Sequence, residues 1–307
     1  MQNNIVDINS ITELHDFYGY GKPKHPLISV VDLNKIDRSN YQKYALGTSY
    51  RMGFYTIFCK KFKGNLKYGK SYYDFNEGSL IFIAPDQLVS SDSETDAEEG
   101  WALFFHPDLL NTSPLGSKMN DYTFFHYDTN EALHLSDEEK GILKDCLKNI
   151  EREYSQNIDH HTHSLIQSNI ELLLNYCERF YGRQFITRIK GSKDIVQRFE
   201  SAIKLYFQQE TLIEKGIPDV KYFANELCLS PNYLSDLLKR HTGKTTHEYI
   251  HLQLLEKAKM LLWSSEKSVS EIAYELGFGH PSHFNKIFKG KLGLSPKQYR
   301  IQRAIPG

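Results

Sequence analysis

Cysteine is scarce in this chain of 307 residues. The four cysteines, Cys59, Cys146, Cys177 and Cys228, lie far apart, and no two of them form a CxxC pair. Disulfide frameworks and zinc knuckles both depend on regularly spaced cysteines, so the sequence argues against both classes. Scattered thiols are typical of a reducing compartment, and we expect a cytoplasmic protein.

Long apolar runs are also missing. No stretch approaches the ~20 apolar residues of a membrane span, which excludes an integral membrane protein and leaves no membrane partner to expect. The first residues lack a basic segment followed by an apolar one, so no secretory signal is expected. Hydrophobic residues make up 40% and charged residues 24% of the chain, which is a globular profile. The length favours two domains.

A net charge of −1 conceals an uneven distribution. Residues 192–307 contain 17 Lys and Arg against 12 Asp and Glu, a net charge of +5, whereas the remaining residues contain 20 against 26, a net charge of −6. Such asymmetry indicates that the C-terminal part meets a polyanion and that the N-terminal part has another role.

Residues 1–130 have the pattern of a β domain. Short aromatic and β-branched runs at 55–59, 72–75, 79–84 and 101–105 alternate with turn signals such as Lys63-Gly64-Asn65. This spacing is typical of a sandwich or barrel.

Beyond residue 130 the apolar period changes from 2 to 3.6. Ser136 and Glu139 predict a capping box at the start of a helix. A second helix is predicted over 161–181, ending near Gly182. The basic segment 183–193 is interpreted as a linker.

The C-terminal part contains an internal repeat. Ala224-x-x-Leu227 matches Ala273-x-x-Leu276 at an offset of 49 residues, and the positions that follow the turn match at an offset of 50. These later pairs are Leu234/Phe284, Leu237/Ile287, Leu238/Phe288, Lys239/Lys289, Gly243/Gly293 and Tyr249/Tyr299. The second copy therefore has one extra residue in its turn.

Each copy has the features of a helix-turn-helix unit. A small alanine allows close helix packing, a turn follows, and a second helix buries one face and exposes the other. Ser230-Pro231 and Ser295-Pro296 predict helix starts, and Ser268 with Glu271 predicts another capping box. A helix from Tyr249 to Trp263 is predicted between the copies, where it would act as a strut.

Residues 194–303 resemble the DNA-binding domain of the AraC/XylS family of bacterial transcription regulators. The resemblance rests on the runs 258–262, 270–273, 276–278 and 282–289, and on Gly293-x-Ser295-Pro296-x-x-Tyr299-Arg300. The chain departs from the family pattern at Gly279-His280-Pro281 and at Ile250-His251.

The resemblance implies an α+β protein of two domains. It implies a cupin-like β-barrel with trailing helices for effector binding and dimerisation at 1–182, a linker at 183–193, and an all-α domain with two helix-turn-helix units at 194–307. The implied function is sequence-specific transcription regulation by a homodimer without enzymatic activity. Promoter DNA is the expected partner, and RNA polymerase and a small-molecule effector are candidate partners.

The resemblance also implies recognition helices at 231–240 and 282–290. Expected base-reading residues are Asn232, Ser235, Asp236, Ser282, His283, Asn285 and Lys286. Expected phosphate contacts are Lys239, Arg240, Lys244, Lys289, Lys291 and Lys297. Base contacts specify a sequence, whereas phosphate contacts position the protein.

The N-terminal half offers candidates for an effector pocket. Its aromatic side chains could line that pocket or fill the barrel core; they are Tyr55, Phe58, Phe75, Phe82, Trp101 and Phe104. His160 and His163 share a helical face, but a third ligand at suitable spacing is missing, so no metal site and no cofactor are expected. The open alternatives are an effector-independent regulator with a structural barrel and a cupin enzyme fused to a DNA-binding module.

Overall fold

The computed structural model describes residues 5–35, 49–62, 66–68, 71–73, 78–90, 97–111, 113–128, 131–156, 159–187, 189–208 and 211–302. The predicted turn at Lys63-Gly64-Asn65 and the candidate pocket residue Phe75 lie outside these ranges. The chain divides into two compact units, Met1–Gln184 and Phe185–Gly307.

The N-terminal unit holds the strands. They are β1 (Ile5–Ile8), β2 (Ile28–Asp32), β3 (Ser49–Met52), β4 (Tyr55–Phe62), β5 (Leu66–Tyr68), β6 (Ser71–Tyr73), β7 (Ser79–Ile83), β8 (Leu88–Ser90), β9 (Ala97–Phe105) and β10 (Leu133–His134). Four of them, β4, β6, β7 and β9, overlap the runs predicted from the sequence, so the β character of this region is confirmed.

The strands of the described ranges form three sheets rather than one closed barrel. The largest is antiparallel, with strand order β10-β7-β4-β9-β2. The second has the order β1-β3-β8, and β5 pairs with β6. The sheet-rich part of the fold prediction thus holds, and the closed barrel is not seen.

The five-stranded sheet is covered on both faces. Its inner face packs against the β1-β3-β8 sheet and the first helix through a core that contains Met52, Phe54 and Phe104. On its other face, here called the helix face, Phe82 contacts Phe124 and Tyr181, with ring centroids 4.5 and 6.1 Å away. Because strand side chains alternate, neighbouring residues of one strand belong to different cores.

In the described part of this unit, four α-helices accompany the strands. They are α1 (Ile11–Tyr18), α2 (Pro114–Lys118), α3 (Asp137–Ser155) and α4 (Thr162–Thr187). The predicted capping box of α3 is present, because Ser136 Oγ accepts from Glu139 N and Glu139 accepts from Ser136 N. Helix α1 lies in the region interpreted as all β. Its signals in the sequence are local: Ser10 followed by Glu13 three residues later at its start, and Gly19 at its end. In the structure Ser10 caps the helix and Gly19 has a φ of +69°.

Helix α4 continues past Gly182, where the sequence predicted its end. The residues that follow are held in place: Arg183 donates to Glu139 and to the carbonyl of His134, and Gln184 accepts from His134 N. A glycine costs a helix only about 1 kcal/mol, which these contacts offset. The next helix begins at Ile189, so the described part of 183–193 is largely helical.

The C-terminal unit is all helical, as predicted. Its helices are α5 (Ile189–Gln208), α6 (Thr211–Lys215), α7 (Val220–Leu227), α8 (Pro231–Thr242), α9 (Thr246–Ser264), α10 (Val269–Glu275), α11 (Pro281–Leu292) and α12 (Pro296–Gln302). They share one apolar core that includes Phe199, Phe223, Leu254, Phe284 and Phe288. In the described parts of both units, no helix is long and apolar enough to cross a bilayer.

Candidate nucleic-acid interface

Two helix-turn-helix units stand in tandem in the C-terminal unit. Helices α7 and α8 form the first unit and α10 and α11 the second, with α9 between them. Helices α8 and α11 are each 12 residues long and begin 50 residues apart. The repeat predicted from the sequence is therefore confirmed, including its insertion.

The turns of the two units share a backbone conformation. Cys228 and Gly277 occupy equivalent places and have left-handed φ values of +57° and +82°. Glycine adopts this region freely, whereas a side chain is strained there. Three residues then separate Gly277 from α11, against two between Cys228 and α8, which accounts for the inserted residue.

Each second helix buries an apolar face against the shared core. Leu234, Leu237 and Leu238 of α8 are fully buried, as are Phe284 and Phe288 of α11 to within 1%. Ile287 packs against the same core and is partly buried. The opposite faces of both helices are polar, which is the arrangement that a groove-reading helix requires.

The helix starts differ between the two units. The hydroxyl of Ser230 caps α8 by accepting from Tyr233 N, whereas His280 precedes α11 without a side-chain cap. Both helices have proline in the first turn, and proline tolerates that position because it lacks an N–H. The predicted caps at Ser268 and Ser295 are present as well.

The predicted base-reading residues divide into two groups by exposure. On α11, Ser282, His283, Asn285 and Lys286 are exposed, and the His283 ring packs edge-on to Phe278 at 5.7 Å. On α8 the three predicted residues are only half exposed; they are Asn232, Ser235 and Asp236. The hydroxyl of Ser235 pairs with that of buried Thr246 at 3.1 Å, which ties α8 to α9.

The predicted phosphate contacts are all exposed. Four of them lie in the last turns of the two second helices, where the helix dipole favours a positive charge; these are Lys239 and Arg240 of α8 and Lys289 and Lys291 of α11. Lys244 lies over the Tyr249 ring at 5.8 Å, and Lys297 lies in α12.

Two histidines of α9 join these cations, and the sequence reasoning did not select them. The rings of His247 and His251 lie 6.2 Å apart. Burial lowers the pKa of His251, and the positive charges of His247, Lys291 and His283 lower it further. The four-residue step from His247 to His251, which places both on one face of α9, was the signal available in the sequence.

Glu248 is the acidic exception in this area. Hydrogen bonds from the backbone and hydroxyl of Thr245 lower its pKa, and the charges of Lys291 and Lys239 lower it further. The carboxylate is therefore held as the cap of α9 between the ends of α8 and α11. We call the basic side chains in this area the basic ridge, which comprises Lys239, Lys244, His247, His251, His283 and Lys291.

The N-terminal unit has its own candidate site, a cleft of about 870 Å³ between the helix face of the sheet and α3. Among the five described aromatic residues predicted for an effector pocket, Trp101 alone lines this cleft. Strand register explains the outcome. Tyr55, Phe82 and Trp101 lie on the helix face, whereas Phe58 and Phe104 lie on the inner face, so the five do not form one pocket.

The histidines at 160, 161 and 163 contact different neighbours. The rings of His160 and His161 lie 4.3 Å apart, and His163 packs on His25 at 5.6 Å. Within the described ranges, no three His, Cys, Asp or Glu side chains are grouped as metal ligands.

Comparison with known proteins supports the assignment of the C-terminal unit as a helix-turn-helix domain. A helix-turn-helix domain family matches residues 223–302. The HTH-type transcriptional activator RhaS of Salmonella arizonae is 41% identical over 95 residues, which are 28% of this chain and 34% of that protein. RhaS of Salmonella schwarzengrund is 39% identical over 92 residues, covering 27% and 33%. The match thus spans about a third of the length of these relatives.

A solved structure also matches part of the chain. The C-terminal domain of AraT, a response regulator from Geobacillus stearothermophilus, is 33% identical and covers 36% of this chain and 88% of its own, with a TM-score of 0.32. The assignment rests on the matched sequence and on the tandem units described above. The matched residues and the tandem units together identify the C-terminal unit as an AraC-type helix-turn-helix domain, similar to that of AraC/XylS transcription regulators.

Proposed function

We propose that the chain regulates transcription by binding promoter DNA with α8 and α11 in successive faces of the major groove. The observation that carries this proposal is the pair of 12-residue helices, each with one buried apolar face and one exposed polar face. Helix α9, with 19 residues, spans about 28 Å. Successive major-groove faces are ~34 Å apart, so a helix of this length can hold α8 and α11 in two of them.

The exposed residues near the start of α11 are suited to base recognition. Lys286 can donate to guanine O6 and N7, and Asn285 can pair with adenine N6 and N7. Asn232, Ser235 and Asp236 would have the corresponding role in α8, with the carboxylate of Asp236 accepting from cytosine N4. Ser282 and His283 complete the proposed reading set.

The basic ridge and the remaining exposed cations are suited to phosphate. Neutralised phosphates release counterions, so affinity falls steeply as salt rises. His247 and His251 extend the proposed phosphate set, because they lie among Lys291 and His283 on the same side of α9.

The decisive experiment is a titration of the full chain against a randomised operator library at several salt concentrations. Lys286→Ala should cost roughly 1–3 kcal/mol at the preferred site and relax the preference at one or two base pairs. Lys289→Ala should weaken binding to all sequences about equally and reduce the salt slope by about 1. Lys204→Ala is the matched control, because Lys204 is an exposed lysine of α5 that lies outside both helix-turn-helix units.

Two outcomes would count against this function. Binding that is absent from every pool, or that is insensitive to salt, would remove the DNA-binding proposal. An unchanged affinity and preference in Lys286→Ala, with the fold intact, would make the second unit a scaffold and leave base reading to α8.

We further propose that the N-terminal unit responds to a small-molecule effector and has a cupin-like fold. Support comes from its three-stranded and five-stranded sheets, which pack face to face around Met52, Phe54 and Phe104. Ligand-dependent thermal shifts test this role, because a ligand that binds only the native state raises stability. An effector-independent regulator would show no such shift with any compound.

We propose that α4 contributes to a homodimer. Leu165 and Leu172 lie two helical turns apart on one face, and both are about 45% exposed. Aligned exposed leucines on a long helix are typical of a helix–helix interface. Sedimentation of the full chain should show a dimer, and Leu165→Lys combined with Leu172→Lys should shift it to a monomer.

The enzyme alternative makes a different prediction. A cupin enzyme fused to a DNA-binding module would carry stoichiometric metal after purification, whereas a regulator with this N-terminal unit would not. Metal analysis of the purified chain therefore separates the two.

A promoter-binding regulator works in the bacterial cytoplasm beside RNA polymerase, which is its proposed second partner.

A further inference from the structure

The cleft of the N-terminal unit has an apolar floor. Val30, Cys59 and Trp101 come from three neighbouring strands of the five-stranded sheet, and Leu135 and Leu147 close the floor from the side of α3. Trp101 is partly exposed, so its indole ring is available to a bound molecule. The volume of about 870 Å³ is typical of small-molecule sites, which commonly measure about 300–1,000 Å³.

The rim of this cleft carries a row of lysines. Lys140, Lys144 and Lys148 are spaced four residues apart, so they form one row along α3, and Lys35 faces them from the sheet side. The lining also contains three carboxylates, from Asp32, Asp137 and Glu151. Asp145, which pairs with Lys148 from outside the lining, brings the nearby carboxylates to four, so the local charge depends on which lysine lacks an ion pair.

Ion pairs occupy three of these lysines. Lys35 lies 3.3 Å from Asp32, Lys140 lies 2.8 Å from Asp137, and Lys148 lies 2.9 Å from Asp145. No ion pair between described residues includes Lys144, which lies at the middle of the row. Its ammonium group is therefore the cation best placed to meet a ligand.

The floor adds no negative charge. Cys59 is buried, and burial raises the pKa of its thiol to about 11, although the charge of Lys140 opposes that rise. The group is a neutral, unreactive thiol near pH 7. A ligand here is consequently bound by contact and charge rather than by a covalent bond.

We propose that this cleft binds a small organic anion with a flat apolar body, the body lying against Trp101 and the apolar floor and the anionic group meeting Lys144. A neutral sugar fits less well, because its hydroxyl groups would lose water against Val30, Leu135 and Leu147. The proposal rests on the effector response proposed above, for which it names the site and the ligand class.

The test uses two fluorescent compounds of similar size with the full chain. 1-Anilinonaphthalene-8-sulfonate has a flat apolar body and one negative charge, and N-phenyl-1-naphthylamine has nearly the same body without charge. The anion should bind the wild-type chain more tightly. Lys144→Glu should weaken binding of the anion about tenfold, because a charge-assisted hydrogen bond is lost, and leave binding of the neutral compound unchanged.

Two further variants make the result specific. Lys144→Arg keeps the charge and should retain binding of the anion. Lys22→Glu changes an exposed lysine that does not line the cleft and should also retain it. Because Lys144 is exposed, its replacement leaves the core intact.

The proposal is overturned if the anion does not bind, if Lys144→Glu binds it as tightly as the wild type does, or if both compounds lose affinity together. None of these binding measurements involves DNA. A chain that fails to bind operators would remove the proposed function, whereas a loss of anion binding in Lys144→Glu would still locate the site.

Discussion

Gly277 allows a direct test of how the second helix-turn-helix unit is held together. A Cβ added at Gly277 would lie 2.9 Å from the carbonyl oxygen of Leu212 and 3.0 Å from Gly216 Cα. Both contacts are with backbone atoms, which cannot move aside as a flexible side chain would. Gly243 is the matched control, because its φ of +76° is close to the +82° of Gly277 and a Cβ there would meet nothing within 4 Å.

The two replacements separate strain from steric overlap. In either place, alanine in the left-handed region costs about 1–2 kcal/mol. Gly243→Ala should lose only that amount. Gly277→Ala must also displace the segment 212–216 from α10, and overpacking of this kind typically adds about 1–3 kcal/mol. We therefore expect Gly277→Ala to be less stable than Gly243→Ala by about 1–3 kcal/mol.

Urea-induced unfolding measures this difference. With Trp101→Phe as the background, Trp263 is the only tryptophan and reports on the C-terminal unit. Equal midpoints for the two alanine variants would refute the close approach of the turn to residues 212–216. A larger loss in Gly243→Ala would refute the reasoning altogether.

Three further predictions concern stability. Phe288→Ala should lower the free energy of unfolding by roughly 3–5 kcal/mol in the same assay, because it empties a fully buried position; a loss below 1 kcal/mol would contradict that packing. Arg183→Met should cost about 1–3 kcal/mol in urea melts, because it leaves the mostly buried carboxylate of Glu139 without its paired guanidinium. His251 has a lowered pKa in the folded chain, so stability should fall as pH drops below about 6.5 and the unfolded chain takes up the proton first. His251→Gln should reduce this fall between about pH 7.5 and 5.5, and an identical pH profile would argue against the burial of the ring.

The helix-turn-helix units could be predicted because their signals are local. Ser230-Pro231, the Ser268 capping box and Gly293 each act within one helical turn, and the repeat supplied a second reading of the same pattern. His247 and His251 were not selected, because their relation to Lys291 depends on how α9 packs against α11. That packing is tertiary, and the four-residue step between the two histidines shows only that they share a face of α9.

The N-terminal site could not be predicted for a related reason. Aromatic composition identified a β domain, but the face on which each ring lies depends on strand register, and register is set by pairing between distant residues. Phe58 and Phe104 consequently lie on the opposite face from Trp101. The cleft combines that tryptophan with lysines of α3, which are about forty residues further along the chain.

The tandem arrangement of α8 and α11 gives the DNA-binding surface a direction. Two identical subunits related by a two-fold axis read the same sequence from either end, but two unlike helices joined in series by α9 do not. Their differences in turn length and capping make the order of the units recognisable. On the proposed function, one chain would bind an asymmetric site in a single orientation. Inverting that site would then reverse the order in which α8 and α11 meet its two halves, so the protein would distinguish the two orientations.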